Sequence, residues 1–383
     1  MLIVINQDIV EKAINSKDVD NKIAINTLKK VLLSVKWRKH IVFAPDLTEE
    51  DIHKLTGNNY LTPEELDLLR YVHSKRQNSY GILGRLSHYV MLSFFVDTHI
   101  DSNIVYINPK YDVDFELYEE THLITENILD SEFYSKAVCK YFLKTNRLSD
   151  ECFSTSFYPV QGGGATTSDV LNCELDLKQH FCFVIVDSDK KYPDCESEGD
   201  TAKGIRETVK EYEDNNGQKP FHIDFYVMSK VREIENLIPF CILKLFSNKT
   251  QKNFLEQHSN VLSFFDMKDG LEYRILYDNN VYNGWKTAFP DEINWAQIDT
   301  FKANSTSQKN FEEKTKNLSK LVDEWGDTIL KNVLNPKTKK QKDAKYKLFE
   351  IKEKDLTPDQ KEEWDNIGKY VFSWCCCFKS PPR

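Results

Sequence analysis

Residues Phe181–Val186 read FCFVIV, six apolar side chains in succession. A strand with one wet face alternates apolar and polar residues, so an unbroken run of this length fits a strand buried on both faces. Helices laid over a parallel sheet bury both faces of its strands, which restricts this part of the chain to an α/β architecture. Its surroundings agree. His122–Thr125, Ser156–Val160 and His222–Met228 read as further strands, and helical patterns cover Asp130–Leu143, Thr166–Cys173 and Thr201–Tyr212 between them. A further helix is expected to run on from Glu233.

On either side the pattern changes. Leu2–Ile5 and His40–Phe43 are β-like, Lys22–Lys39 is helical, and TPEEL from Thr62 supplies a helix cap, a proline at the first helical position and early acids. From Asn310 the chain reads helical with a Lys-rich interruption at Pro336–Lys347, and Trp285 and Trp295 are expected core anchors. A length of 383 residues suits two or three domains. The expected division is 1–117 (α/β), 118–245 (central parallel sheet) and 246–383 (mostly helical). With 40% hydrophobic residues, such cores can be filled. No stretch approaches the roughly 18 apolar residues of a membrane helix, and the start MLIVINQD lacks the features of a secretion signal; the expected location is cytoplasmic.

The acids fall at informative places. Asp187 and Asp189 follow directly on the apolar strand, Glu126 ends the strand His122–Thr125, and Asp130 opens the helix behind it. Ligands of open parallel sheets sit outside the carboxyl ends of the strands, so four carboxylates from two strands are expected at one edge. Without a cation they would repel one another. Oxygen-only ligands select hard ions, which implies Mg²⁺ or Mn²⁺. In an extended segment Asp187 and Asp189, two residues apart, would face the same side. A lone DSD after a strand is also an ordinary turn or cap; the joint placement at two strand ends carries the reading.

These residues carry a resemblance. TEN-x-x-D-x-EFY over Thr125–Tyr134, the Gly162–Gly164 turn, FVIVDSD over Phe183–Asp189 and REIENLIP over Arg232–Pro239 resemble a TOPRIM domain. The likeness is to nucleases of the overcoming-lysogenization-defect type and their relatives in bacterial anti-phage systems. Glu126, Asp130, Asp187 and Asp189 match the family's acids in order and context. Asn127 stands where the family usually has Gly, at a turn expected to need an unusual backbone conformation that Asn tolerates. The resemblance implies a Rossmann-like central sheet and a Mg²⁺- or Mn²⁺-dependent nuclease acting on DNA or RNA by a two-metal mechanism. It also implies a defence role and a separate ATPase as partner. Glu235 best matches an acid completing a second metal site, with Glu233 the second choice; the other reading of both is acids favoured in a helix's first turn. The competing function is a regulatory or inactive module, TOPRIM-like or receiver-like, acting through protein partners.

A net charge of −9 means that any grip on phosphates must be local. The Lys337–Lys347 run, with Lys339, Lys340 and Lys342 at its heart, is the best candidate, read as a solvated loop. Lys230 and Arg232 are nearby cations, more ordinary as surface residues. The triple glycine lacks the Lys-Ser/Thr of a P-loop and is expected to let backbone approach the site. The nine cysteines contain no CxxC pair, and Cys375–Cys377 read as reduced thiols near a C-terminal tail. The nine histidines show no ligand spacing, so His122 and His180, which flank strands, read as structural.

Overall fold

The run Cys182–Val186 is a strand buried at all five positions, as its unbroken apolar character demands. It belongs to a computed structural model that describes residues 1–15, 19–111, 115–192, 195–257, 262–289, 293–316, 318, 320 and 323–379. Residues 1–185, 204–226 and 366–383 form one unit, and 186–203 and 227–365 a second.

The first unit contains a five-stranded sheet built from Leu2–Ile5 (β1), Ile41–Phe43 (β2), Tyr89–Leu92 (β3), His99–Asp101 (β4) and Ile104–Ile107 (β5), in the order β2-β1-β3-β5-β4. β1 lies parallel between β2 and β3, β3 is parallel to β5, and β4 closes the edge antiparallel. β1 and β2 are buried throughout, whereas β3 and β5 alternate, with one face half-exposed. Helix Pro63–Ser74 starts as TPEEL dictates: the Thr62 hydroxyl accepts the Glu65 N–H while the Glu65 carboxylate accepts the Thr62 N–H.

His122–Thr125 (β6), Phe153–Thr155 (β7), Tyr158–Gln161 (β8), Cys182–Val186 (β9), Ile223–Val227 (β10) and Cys376–Phe378 (β11) complete the strands. A four-stranded sheet has the order β10-β9-β6-β8. β6 is parallel to both β8 and β9. β9 and β10 run the same way, with Cys182 N–H donating to His222 at one end and Met228 N–H to Val186 at the other. The chain adds β8 on one side of β6, then crosses to add β9 and β10 on the other. The β6/β9 boundary is therefore the topological switch point.

Several expectations need correction. The strand expected at Ser156–Val160 is β8, shifted to Tyr158–Gln161 and paired with β6, and an unexpected strand before it, Phe153–Thr155, pairs antiparallel with Cys376–Phe378. Cys375–Cys377 are consequently buried, with Cys376 and Cys377 inside a strand, and do not lie in a loose tail. The single helix expected over Asp130–Leu143 is a helix at Ile128–Phe133, a wide π turn at Tyr134–Val138 and a helix at Cys139–Thr145.

The second unit is mainly helical. Trp285 is buried and stacks on Phe289 at 5.4 Å, and Trp295 is buried edge-on to Tyr282 at 5.2 Å, so both are the core anchors expected. The Lys-rich interruption is instead the helix Lys339–Phe349, capped by the Thr338 hydroxyl. Ala344 and Leu348, four residues apart on one helical face, are buried and hold it to the unit, leaving its lysines on the other faces. Among the described residues no helix is long and apolar enough to cross a membrane.

Candidate functional site

Glu126 is the residue after β6, and Asp187 the residue after β9. In the register of these paired strands Thr125 lies opposite Ile185. The chain thus leaves the sheet through acids at the carboxyl ends of the two strands that flank the switch point.

In the first unit, the glycine turn is tied to the end of β6: Gly162 N–H donates to Thr125 O at 2.7 Å and Gly163 N–H to Glu126 O at 3.0 Å. Gly163 and Gly164 have φ of 76° and 64°, the left-handed region that favours glycine. A methyl group on Gly164 would come within 3.9 Å of Glu126 Oε2, so the glycine backbone does run close beside this carboxylate. Asn127 departs from expectation. Its φ of −131° is ordinary extended backbone, and it serves as the cap of Ile128–Phe133, its side chain accepting Leu129 N–H at 3.0 Å. Asp130 completes the cap, Oδ2 accepting Asn127 N–H at 2.8 Å. The spacing read as a metal pattern thus also encodes a capping box.

In the second unit, the DSD turn is fastened to Val231 and Arg232. Ser188 Oγ donates to Val231 O at 2.7 Å, and the Ser188 and Asp189 N–H groups both donate to Arg232 O at 3.0 Å. Asp187 is buried and its Oδ1 accepts Ile234 N–H at 3.1 Å. Asp189 has a φ of 51°, so the DSD segment is a turn and the same-side argument for an extended chain does not apply. Gly199 makes room for the Asp189 side chain: a Cβ there would lie 2.5 Å from both Asp189 Cβ and Oδ2.

Glu233 and Glu235 are both buried and converge on Lys268, whose Nζ lies 3.4 Å from Glu233 Oε2 and 3.3 Å from Glu235 Oε2. Glu233 Oε1 also accepts Met267 N–H at 2.9 Å. Burial, then the neighbouring Glu235, push the Glu233 carboxyl up to about 7. Burial alone would lower the Lys268 ammonium, but Glu233, Glu235 and Asp187 hold it above the ordinary lysine value. These acids demand positive charge, and in this state a lysine supplies part of it. Nothing in the sequence around Lys268 marked it. Arg232 is half-buried and pinned to Asp266 at 2.5 Å, so it is not an ordinary surface cation, whereas Lys230 pairs at the surface with Glu362.

Of the lysines expected to grip nucleic acid, Lys339, Lys340 and Lys342 are exposed in the first turn of their helix. That is the end where the macrodipole disfavours cations.

Among the described residues, one group of His, Cys, Asp or Glu side chains brings three possible ligand atoms within 4.8 Å of one another, and it is none of those expected: His122, Glu174 and His180. No local spacing announces it. His122 opens β6, Glu174 lies on the helix Thr167–Leu177, and His180 precedes β9, so only folding assembles them.

Comparison of the chain with protein-family models, curated proteins and solved structures gives no match.

Proposed function

We propose that the protein is a metal-dependent phosphodiesterase of TOPRIM type, cleaving DNA or RNA, with Glu126, Asp130, Asp187, Asp189 and Glu235 as its metal-holding acids. The observation that carries this reading is the strand order: Glu126 and Asp187 follow the paired strands at the switch point of a parallel sheet, where open α/β sheets hold their ligands. The donor set fits the ion. All five are carboxylates, the ligands of hard Mg²⁺ or Mn²⁺, and Glu233 with Glu235 carries negative charge that Lys268 offsets only in part. Held by these residues, Mg²⁺ or Mn²⁺ supplies the water activation and charge neutralisation that phosphodiester hydrolysis needs. Arg232, fixed by Asp266, and Lys268 are the cations available to stabilise charge developing on a phosphate. A role in anti-phage defence, with a separate ATPase or other defence-system subunit as partner, rests on the family resemblance alone.

A second reading has its own support. The Asp130 carboxylate caps a helix, the Asp187 carboxylate accepts a backbone N–H and Asp189 packs against Gly199. Carboxylates engaged in such local bonds suit an inactive or regulatory module acting through protein partners.

Nicking of supercoiled plasmid and cleavage of RNA in millimolar Mn²⁺ separate the two. The nuclease reading expects turnover by the wild type and none by Asp187→Asn or Glu126→Ala. A wild type that binds Mn²⁺ without cutting either substrate supports the inactive module, and full activity in Glu126→Ala overturns the TOPRIM assignment.

A further inference from the structure

The histidine group lies at the opposite end of the four-stranded sheet from the strand ends that lead to the acids. His122 is the first residue of β6, His180 stands two residues before β9, and His222 immediately precedes β10. All belong to the first unit, as does Glu174. The imidazoles of His122 and His180 stack at 4.4 Å and 14°. Two protonated rings so close would repel, and burial, followed by His122, lowers the His180 pKa below the usual histidine value. His122 Nδ1 lies 2.7 Å from Glu174 Oε1; burial is the largest influence on the Glu174 carboxyl and pushes it up, but His122, His180 and His222 together hold it below its ordinary range.

His180 supplies the decisive detail. Its Nδ1 is buried and makes no hydrogen bond, while its Nε2 faces Glu116 Oε2 at 3.8 Å. Glu116 is itself positioned by its N–H, which donates to Gln179 O at 3.0 Å. One ring nitrogen turned inward without a donor or acceptor, and the other turned to a carboxylate, is how a metal-binding histidine is oriented. Behind it His222 is fully buried, and its ring nitrogens make no hydrogen bond of normal geometry; burial pulls its imidazole down to about 4.

We propose that His122, Glu174 and His180 form a binding site for a borderline transition-metal ion of the zinc class, with Glu116 orienting His180. Two imidazoles and one carboxylate select zinc-class ions over Mg²⁺, and three protein ligands leave a fourth position open. Donors of a tetrahedral zinc site lie about 3.4 Å apart, given bonds of about 2.1 Å. The separations here, up to 4.8 Å, close to that value by side-chain rotation. The site ties the entry of β6 to the entry of β9 and to the helix Thr167–Leu177, making it a clamp on the sheet, independent of the hydrolytic reading above.

The test uses the full chain, stripped with a chelator and titrated with Co²⁺, whose visible absorption is intense in a tetrahedral site and weak in a six-coordinate oxygen site, followed by displacement with Zn²⁺. One equivalent is expected to develop that spectrum, with millimolar Mg²⁺ present throughout to fill carboxylate sites, and to raise the melting temperature further. His180→Ala and Glu174→Gln should each weaken Co²⁺ binding by more than the roughly 10- to 100-fold that follows loss of a group merely hydrogen-bonded to a ligand. Asp187→Asn should leave it unchanged. In the wild type, Zn²⁺ should shield His122 and His180 from modification by diethylpyrocarbonate, a readout that needs no variant to fold. Absence of a Co²⁺ spectrum, its survival in both ligand variants, its loss in Asp187→Asn, or unshielded histidines would overturn the proposal.

Discussion

Two groups of titratable side chains, one in each unit, solve the problem of buried charge in opposite ways. Around Lys268 in the second unit, two buried carboxylates are set side by side and part of the repulsion is met by an ammonium and a backbone N–H. Around Glu174 in the first unit, one carboxylate contacts His122 and stands beside His180 and His222, whose pKa values burial lowers. The first group offers only carboxylate oxygens and suits hard ions; the second also offers imidazole nitrogens and suits softer ones. The contrast teaches that donor type, more than the number of acids, decides what a site can take.

The largest expected effect breaks the comparison if it fails. Glu126→Ala and Asp189→Ala should each lower Mn²⁺-dependent cleavage by about 10³-fold or more, and the double variant should be little worse than either, because the residues act in one transition state. His180→Ala should leave the cleavage rate unchanged. A parallel loss in His180→Ala, with the fold intact by circular dichroism, would mean that the two groups serve one activity.

Next comes the pH dependence of the group around Lys268. The Glu233 carboxyl, at about 7 in the fold, binds its proton more tightly than in the unfolded chain, where about 4.3 is usual. The folded state therefore holds more protons between these values, and stability contributed by the protonated form is lost as pH rises from about 4.3 through about 7. The loss is at most about 4 kcal/mol. Glu233→Gln should flatten this decline in urea denaturation at pH 5 and pH 8. Millimolar Mn²⁺ should reverse it if the ion takes up the same charge.

A smaller effect is expected at Gly199. An added methyl must displace Asp189, because it would lie 2.5 Å from Asp189 Cβ. Gly199→Ala should cost about 1–3 kcal/mol of stability and depress cleavage, while Co²⁺ binding at His180 persists. Equal loss of both would argue that the groups are not independent. Smallest is the lysine helix: neutralising Lys339, Lys340 and Lys342 together should flatten the salt dependence of nucleic-acid binding by about one unit of slope per lost phosphate contact. Cleavage at saturating substrate should be unaffected, and an unaltered slope would move the track elsewhere.

How much of this was legible in the sequence depends on how local each signal is. FCFVIV announced a buried parallel strand because its period is written in consecutive residues, and TPEEL announced a helix start because a capping box closes within four residues. Glu126 and Asp187 were placed at strand ends by the same local logic. The backbone around them was not legible. Asn127 proved to be a cap in extended conformation, and the DSD segment a turn with Asp189 left-handed, since hydrogen bonds from Ser188 and Asp189 N–H to the carbonyl of Arg232, distant in sequence, set that turn. The Lys-rich segment was misread as a loop because its charge outweighed a weak apolar pair, Ala344 and Leu348, that the fold buries.

The sequence by itself determined where strands and most helices form and which acids follow the strands of the central sheet, because those signals repeat over two to four residues. Only the tertiary structure decided that β9 crosses to the far side of β6, that Lys268 meets Glu233 and Glu235, and that His122, Glu174 and His180 converge. Strand order and long-range charge contacts depend on loop closure and on burial shared by distant segments. Neither leaves a periodic mark on the chain.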